Sequence, residues 1–361
     1  MAPTLMAADR TAEVVHNRPV SYSFRALGVA VGYPGVPAAR TLDLAVAAEA
    51  AGFGIVCSGD SIVEAFSTLG AVAARTSRVE VVAAIATWTR TPVTMALAAT
   101  TLADIAGGRF RLGLGTMPRE WSEQWHDISY DRPVDRMRDY VAAIRAAMRS
   151  TPGAPVSHDG PFYRIPRYER ITEPPAQPPP IYLSPTRVKM SELTGEVADG
   201  GILNATHTVG YLEDVQLPAI QRGLDRSERS RAAVDLGQLV FVSISDDEQE
   251  ALDWARPGLA FYFVAPYFQD ILRHHGWHAE LAAGLEAAAR GDVPGMLAAM
   301  TDEIVRAVTL SGTPGQVQAQ LRRYEGLVDW PLFSAPHGLP PATSQAIAER
   351  IVRTFARKEA A

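Results

Sequence analysis

Between residues 118 and 126 the chain reads PREWSEQWH. Glu120 and His126 are side chains that can hand a proton to a substrate or take one from it. An imidazole does so most readily near neutral pH. Trp121 and Trp125 between them can wall a flat ring or substrate, or can simply anchor the segment on the neighbouring helix. Asp60, in CSGDS, is a third candidate for proton exchange, and a structural hydrogen bond to loop backbone explains it equally well. In SPTRVKM, Ser184 and Thr186 bring hydroxyls, Pro185 opens the turn, and Arg187 and Lys189 bring positive charge to a helix N-terminus. Free N–H groups and the helix dipole favour a phosphate there. A solvated surface lysine is the plain alternative for Lys189. Tyr33, Trp88, Asn204 and His207 complete an aromatic and hydroxyl-rich set with few charges, suited to a flat, partly polar ligand.

Other chemistries lack their residues. GGRFRLGLGT (107–116) has the Gly113-x-Gly115 spacing of a dinucleotide fingerprint. Thr116, Met117 and Pro118 follow, so the third glycine is missing, and no P-loop lysine is near. Gly107 and Gly108 then stop a helix, while Gly113 and Gly115 let a ligand or a neighbouring backbone come close. Plain packing of small residues is the alternative. No Gly-x-Ser-x-Gly elbow is present. The cluster RHHGWH (273–278) has no adjacent acidic ligand and reads as loop packing, so no metal is expected. Cys57 is the only cysteine of 361 residues, which excludes an internal disulfide and fits a reducing cytoplasm. Cys57 itself reads as a small core residue.

The elements that must position these residues alternate. Strands are expected at 26–33, 53–60, 79–87, 109–116, 181–184, 200–204, 238–244 and 328–334. Helical patterns follow each of them. A small helix covers Leu69 to Arg75, one starts at Pro92, another spans about Arg132 to Arg149, and another about Val188 to Ala198. GTPGQVQAQLRRYEGL reads as a helix with Pro314 near its start, while 118–126 reads as a loop. Eight such units make a (β/α)8 TIM barrel of class α/β the natural solution, ahead of an open doubly wound sheet. Two stretches break the rhythm after strands four and seven. A hairpin with a proline-rich connector occupies 151–180, and a helical insertion occupies 247–305. Residues 1–24 read as a polar N-terminal arm ahead of one domain, 25–361. In a barrel, function belongs at the C-terminal ends of the strands, where Tyr33, Asp60, Trp88, Gly115, Thr116, Ser184, Thr186, Asn204 and His207 fall, with 118–126 just beyond strand four. A net charge of −6 with 20% charged residues gives no surface for nucleic acid, and no stretch is long and apolar enough for a membrane.

The segments DIAGGRFRLGLGT, EWSEQWHDISYDRPVDRMRDYVAAIR, ITEPPAQPPPIYLSPTRVKMSELTGEVADGGILN and LSGTPGQVQAQLRRYEGLVD together resemble the bacterial luciferase-like superfamily. The resemblance spans roughly 25–335 and lies nearest the branch that uses the deazaflavin coenzyme F420. It implies a ring bound against a bulge in the third strand, often with a non-prolyl cis peptide, expected at Ala83–Ala84 or the next bond. It also implies cofactor contacts from Gly115, Thr116 and the 184–189 segment, a small-molecule substrate and a homodimer. Two positions depart from the family. Ser-Pro-Thr-Arg replaces its Gly-Pro-Lys-like helix entry, and Ser58-Gly59-Asp60 stands where some members carry Ser-Asp-His. The expected function is hydride transfer between F420 and a small organic substrate. The alternatives are an FMN-dependent monooxygenase using reduced flavin and oxygen, a lyase without a redox cofactor, and a non-catalytic flavin-binding barrel.

Overall fold

Strands covered on both faces read as continuous apolar runs, and IVCS at 55–58 is buried at all four positions. The computed structural model describes residues 22–60 and 63–357. Residues 1–21 of the expected arm lie outside this range. In chain order the strands are β1 (Gly28–Ala30), β2 (Ile55–Ser58), β3 (Glu80–Thr87), β4 (Phe110–Gly115), β5 (Val156–Asp159) and β6 (Arg164–Tyr168). Then come β7 (Ile181–Leu183), β8 (Gly200–Leu203), β9 (Asp235–Ile244), β10 (Leu310–Gly312) and β11 (Trp330–Ser334). Strands β1, β2, β3, β4, β7, β8, β9 and β11 pair in that order, all parallel, and β11 returns to β1. The chain is thus a closed eight-stranded (β/α)8 barrel.

Side chains alternate across each strand, which gives the barrel two cores. The outward face packs on the helices, with Val56, Val81, Leu112, Leu183 and Val240 in that layer. The inward face holds Ile55, Cys57, Val82, Tyr182, Ile202, Trp330 and Leu332. Cys57 is buried here, and burial pushes its thiol well above the usual range. The N-terminal end of the barrel is closed by charge. Arg25 spans Glu80 (3.0 Å) and Asp235 (2.8 Å), and Arg111 reaches Glu80 (3.1 Å). The Tyr182 hydroxyl (2.6 Å) and the Trp330 indole N–H (2.9 Å) both donate to Asp235.

The two interruptions are built as separate units. β5 and β6 form an antiparallel hairpin docked on the helix Pro133–Met148. The Asp139 carboxylate of that helix accepts the backbone N–H groups of Phe162 and Tyr163, each at 2.8 Å, and contacts His158 Nε2 at 2.6 Å. Between β9 and β10, helices Glu248–Ala260, Pro266–His274, His278–Ala289, Val293–Ala299 and Asp302–Val308 share a core of Leu252, Phe263, Phe268, Ile271 and Ile304. Proline in the first turn starts several helices at no hydrogen-bond cost, as at Pro92, Pro133 and Pro266.

Three features differ from the sequence reading. The stretch after β4 is not a loop but a two-turn helix, Arg119–His126. β10 lies in a stretch read as leading straight into a helix, and it extends the upper end of β9 outside the eight-strand ring. The helix after β2 starts at Ala65 rather than Leu69, because Glu64 caps it by accepting the N–H groups of Phe66 and Ser67.

Candidate functional site

β3 and β4 stay in register up to Ala83, opposite Leu112. Ala86 then faces Leu114, so β3 holds one extra residue. Within that bulge a cis peptide joins Ala84 to Ile85, the later of the two bonds expected. Glycines clear its surroundings. A Cβ on Gly59 would stand 2.4 Å from the Ala84 carbonyl oxygen, and one on Gly113 would stand 2.1 Å from the Ala83 oxygen. A Cβ on Gly115 would meet the Ile85 side chain at 2.0 Å. The Gly-x-Gly of GGRFRLGLGT therefore exists for close approach to the bulge.

Asp60 fastens the bulge to β2. Its backbone N–H donates to the Ile85 carbonyl at 2.7 Å. Its carboxylate accepts the N–H of Ala65 (2.9 Å) and of Thr87 (3.2 Å) and pairs with Arg90, which also pairs with Glu64. The Tyr140 hydroxyl donates to the Arg90 carbonyl at 2.7 Å. Both side chains of the Asp60–Arg90 pair are largely buried, at 11% and 19% exposure. Such a carboxylate is fully occupied.

The inward, partly exposed residues at this end are small or uncharged: Ala30, Ala84, Ile85, Ser184, Asn204 and Leu239. The Ser184 hydroxyl donates to the Ile202 carbonyl at 2.9 Å. Asn204 Oδ1 accepts the N–H (3.0 Å) and hydroxyl (2.8 Å) of Thr206. Pro185 is buried, and Thr186 is partly exposed. His207 is fully buried, with Nε2 3.3 Å from the Thr186 carbonyl. A carbonyl only accepts, so Nε2 carries the hydrogen and Nδ1 presents a lone pair. That Nδ1 and the Ser58 hydroxyl are buried and have no partner among the described residues. Burial pushes His207 down to about 4, so it is neutral at physiological pH. The helix Val188–Val197 opens beside Thr186 with no acidic residue in its first turn. Arg187 pairs with Asp270 at 3.1 Å, and Lys189 is exposed.

The remaining candidates fall at the rim. The Tyr33 hydroxyl donates to the Ala30 carbonyl (3.2 Å) and accepts the Ala335 N–H (3.1 Å), which ties β1 to the chain leaving β11. Thr116 and Tyr130 share a hydroxyl hydrogen bond of 2.9 Å. Trp88 lies beneath the rim, fully buried, and its indole N–H donates to Ser122 Oγ at 3.2 Å. Trp121 and Trp125 stack at 4.4 Å with planes 13° apart, and Trp125 is 55% exposed. Glu120 and His126, on the same short helix, are exposed. In the RHHGWH cluster, His275 Nε2 lies 2.6 Å from Thr208 Oγ1, and His274 pairs with Asp214 at 3.2 Å.

Arg90 and Leu239 belong to this end of the barrel but are not singled out by the sequence. The alternation of inward positions could have found Leu239. Nothing local marks Arg90, whose partner lies thirty residues back.

A cleft of about 590 Å³ at the opposite end is lined by Arg145, Arg149, Arg229 and Pro179. Arg145 and Arg229 there cap the carbonyls of Val197, Gly195 and Ala198 at the end of the helix Val188–Val197.

A closed parallel barrel with a bulged third strand, glycines pressed around it and an uncharged floor defines a class of protein that can seat a planar ring at its C-terminal mouth. The chain belongs to the luciferase-like monooxygenase family, whose model matches residues 21–329. An uncharacterized protein of Mycobacterium tuberculosis is 33% identical over 311 residues, covering 82% of this chain and 91% of its own. The 5,10-methylenetetrahydromethanopterin reductase of Archaeoglobus fulgidus is 30% identical over 231 residues, covering 63% and 67%. The coenzyme F420-dependent tetrahydromethanopterin reductase of Methanopyrus kandleri has the same fold, with a TM-score of 0.74 at 20% identity over 91% of this chain and 99% of that one.

Proposed function

We propose that the protein is an oxidoreductase that exchanges a hydride between coenzyme F420 and a small organic substrate at the barrel mouth. The observation that carries this reading is the cradle at the bulge. Gly59, Gly113 and Gly115 let β2 and β4 press directly on Ala83–Ile85 and so fix the bulge, and a flat ring would lie against its partly exposed residues, Ala84 and Ile85. A buried polar atom without a partner among the described residues, His207 Nδ1, stands at the same end and suits a heteroatom-rich ring. Ala83, Ala84, Gly115 and Thr116 would hold the ring. Ser184, Pro185, Thr186, Arg187 and Lys189 would face its phosphate-bearing tail at the helix N-terminus. Similarity to a putative coenzyme F420-dependent oxidoreductase of Mycobacterium tuberculosis, 27% identical over 83% of this chain, supports the deazaflavin over FMN.

When bound, the cofactor supplies the hydride donor or acceptor; the chain orients it and moves protons. Asp60 positions the bulge, its carboxylate taken up by Arg90 and by the N–H groups of Ala65 and Thr87. His207, neutral, offers a lone pair. Proton exchange then falls to His126 or Glu120, with Trp121 and Trp125 as walls beside them and Tyr33, Trp88, Asn204 and His207 shaping the substrate side.

The test is a titration of the purified protein with F420 and with FMN, followed by absorbance and fluorescence. A saturable F420 signal is expected, abolished in a Gly113→Val variant that keeps its circular dichroism. Tight FMN binding with no response to F420 would overturn the cofactor assignment in favour of the flavin monooxygenase.

A further inference from the structure

The chain leaving β11 carries a histidine to the same end of the barrel, opposite the bulge. Strand order places β9 four strands from β3 around an eight-strand ring, directly across the mouth, with β11 next to β9. The segment is fixed on both sides. The Ala335 N–H is tied to the Tyr33 hydroxyl at 3.1 Å. Gly258 lies so close that a Cβ there would meet the His337 carbonyl oxygen at 2.5 Å. The His337 ring is therefore delivered by a pinned backbone rather than by a swinging loop.

Its neighbours are aromatic. Phe241 continues the inward face of Gly237 and Leu239 along β9, and its ring meets His337 edge to face at 4.8 Å. Tyr262 lies 6.5 Å from Phe241 and 6.1 Å from Tyr267, ring centre to ring centre. The Tyr262 hydroxyl is 3.4 Å from His337 Nδ1, a long hydrogen bond. These four rings include no carboxylate, lysine or arginine.

We propose that His337 is a substrate-binding and polarising residue for a neutral, apolar carbonyl compound, an aromatic or alicyclic ketone or enone. Phe241, Tyr262 and Tyr267 wall its hydrocarbon body, and His337 Nε2–H donates to its carbonyl oxygen. The assignment rests on the hydride-transfer reading for its chemical use, not for the binding itself.

Burial pushes the Tyr262 phenol up to about 12, so it keeps its proton. In the proposed site the phenol donates that proton to Nδ1, which puts the ring hydrogen on Nε2, the nitrogen turned away from Tyr262. The ring's packed faces hold the imidazole below its usual range while one edge stays open to solvent, so His337 is neutral at pH 7. A neutral imidazole polarises a carbonyl by hydrogen bonding without surrendering its proton. The four rings themselves carry no charge, which suits a neutral substrate.

The test uses acetophenone labelled with 13C at the carbonyl as the probe, read by isotope-edited infrared spectroscopy without cofactor. Bound to the wild-type protein, its carbonyl stretch should fall to lower frequency. His337→Gln, which keeps a donor near the Nε2 position, should retain most of the shift, and His337→Ala should lose it. Nitrogen-15 NMR should show His337 as the neutral Nε2–H tautomer in the wild type. With reduced F420 present, His337→Ala should lower kcat on acetophenone by about 100-fold, while F420 affinity is unchanged. Failure of acetophenone to bind at millimolar concentration, or a shift unchanged in His337→Ala, overturns the inference. A shift that depends on His337 in a protein that does not bind F420 supports this site and removes the hydride-transfer reading instead.

Discussion

Burial sorts the titratable residues at the mouth. Asp60 is held by Arg90 and two backbone N–H groups, and His207 is sealed with one nitrogen engaged. Glu120 and His126 stand in water. The sealed histidine has a measurable consequence. Its folded pKa, about 4, lies below the ordinary 6.5, so the unfolded chain binds a proton that the folded one refuses. His207 thus contributes stability that is fully present above pH 6.5 and is lost as pH falls toward about 4. The full swing amounts to roughly 3 kcal/mol at about 1.4 kcal/mol per pKa unit. His275 and His337 are shifted the same way and share the slope, so the comparison must be between variants. Urea unfolding of the wild type and of His207→Gln at pH 7 and near pH 4 should show a smaller loss on acidification in the variant. Equal losses would mean that His207 titrates normally in the folded protein.

Among the elements, the hairpin β5–β6 is anchored from outside by the Asp139 carboxylate, with Arg136 donating to the Tyr163 hydroxyl beside it. A two-stranded hairpin has little stability alone. Asp139 holds this one by three contacts from the helix it packs on. Gly160 is needed beside it, since a Cβ there would stand 1.8 Å from the Asp139 carboxylate. Asp139→Ala should release the hairpin while the barrel stays folded. Hydrogen bonds to a carboxylate contribute about 1.5–3 kcal/mol each, which is enough to hold or free the unit. Limited proteolysis of that variant should cut within 150–175 at protease levels that leave the wild type whole, and cofactor titration should be unchanged. Cleavage elsewhere, or none, would show that the hairpin is held by its apolar side.

The hairpin itself is legible in VSHDGPFYRI, because Asp-Gly marks a turn between alternating residues. Its anchor is not, since Asp139 sits mid-helix with nothing local to distinguish it. The same division holds at the site. The eight barrel strands are legible as short apolar runs, and the small residues at their ends as places of close approach. The Gly59–Ala84 and Gly113–Ala83 contacts are not, because they depend on which strands become neighbours and on the slip of register in β3. The helix Arg119–His126 is hidden for a simpler reason. Pro118, Trp121 and Trp125 give it little helical propensity, and Ser122, its one buried residue, ties it down through Trp88 and the Ile128 carbonyl. β10 escapes because three residues give no period to read.

For the whole molecule, the barrel divides its two ends by purpose. The C-terminal mouth is uncharged at its floor and carries the bulge, while the N-terminal end is closed by Arg25, Glu80, Asp235 and Arg111 with Tyr182 and Trp330. These six residues lie on the entry to β1 and on β3, β4, β7, β9 and β11, so one network ties most of the ring together. None of it is visible in the sequence, where Arg25 and Asp235 are 210 residues apart. Arg25 lies at the centre, bonded to both carboxylates. Replacing it with methionine removes the guanidinium that lies 5.6 Å over the Trp330 ring and leaves Asp235 and Glu80 facing each other with one cation fewer. Removing one partner from a buried ion pair costs about 3–5 kcal/mol, and an exposed pair costs about 1 or less. Arg25 is 34% exposed, so an intermediate loss of roughly 1–3 kcal/mol is expected. The loss should appear as a lower melting temperature. Conservation of function follows from distance: the plug and the bulge are separated by the length of the barrel and by the packed layer of Ile55, Val82, Ile202 and Leu332. F420 titration of Arg25→Met well below its melting temperature should therefore match the wild type. A weakened cofactor response at that temperature would show that the two ends are coupled through the barrel interior, and that the plug sets the geometry of the mouth as well as the stability of the ring.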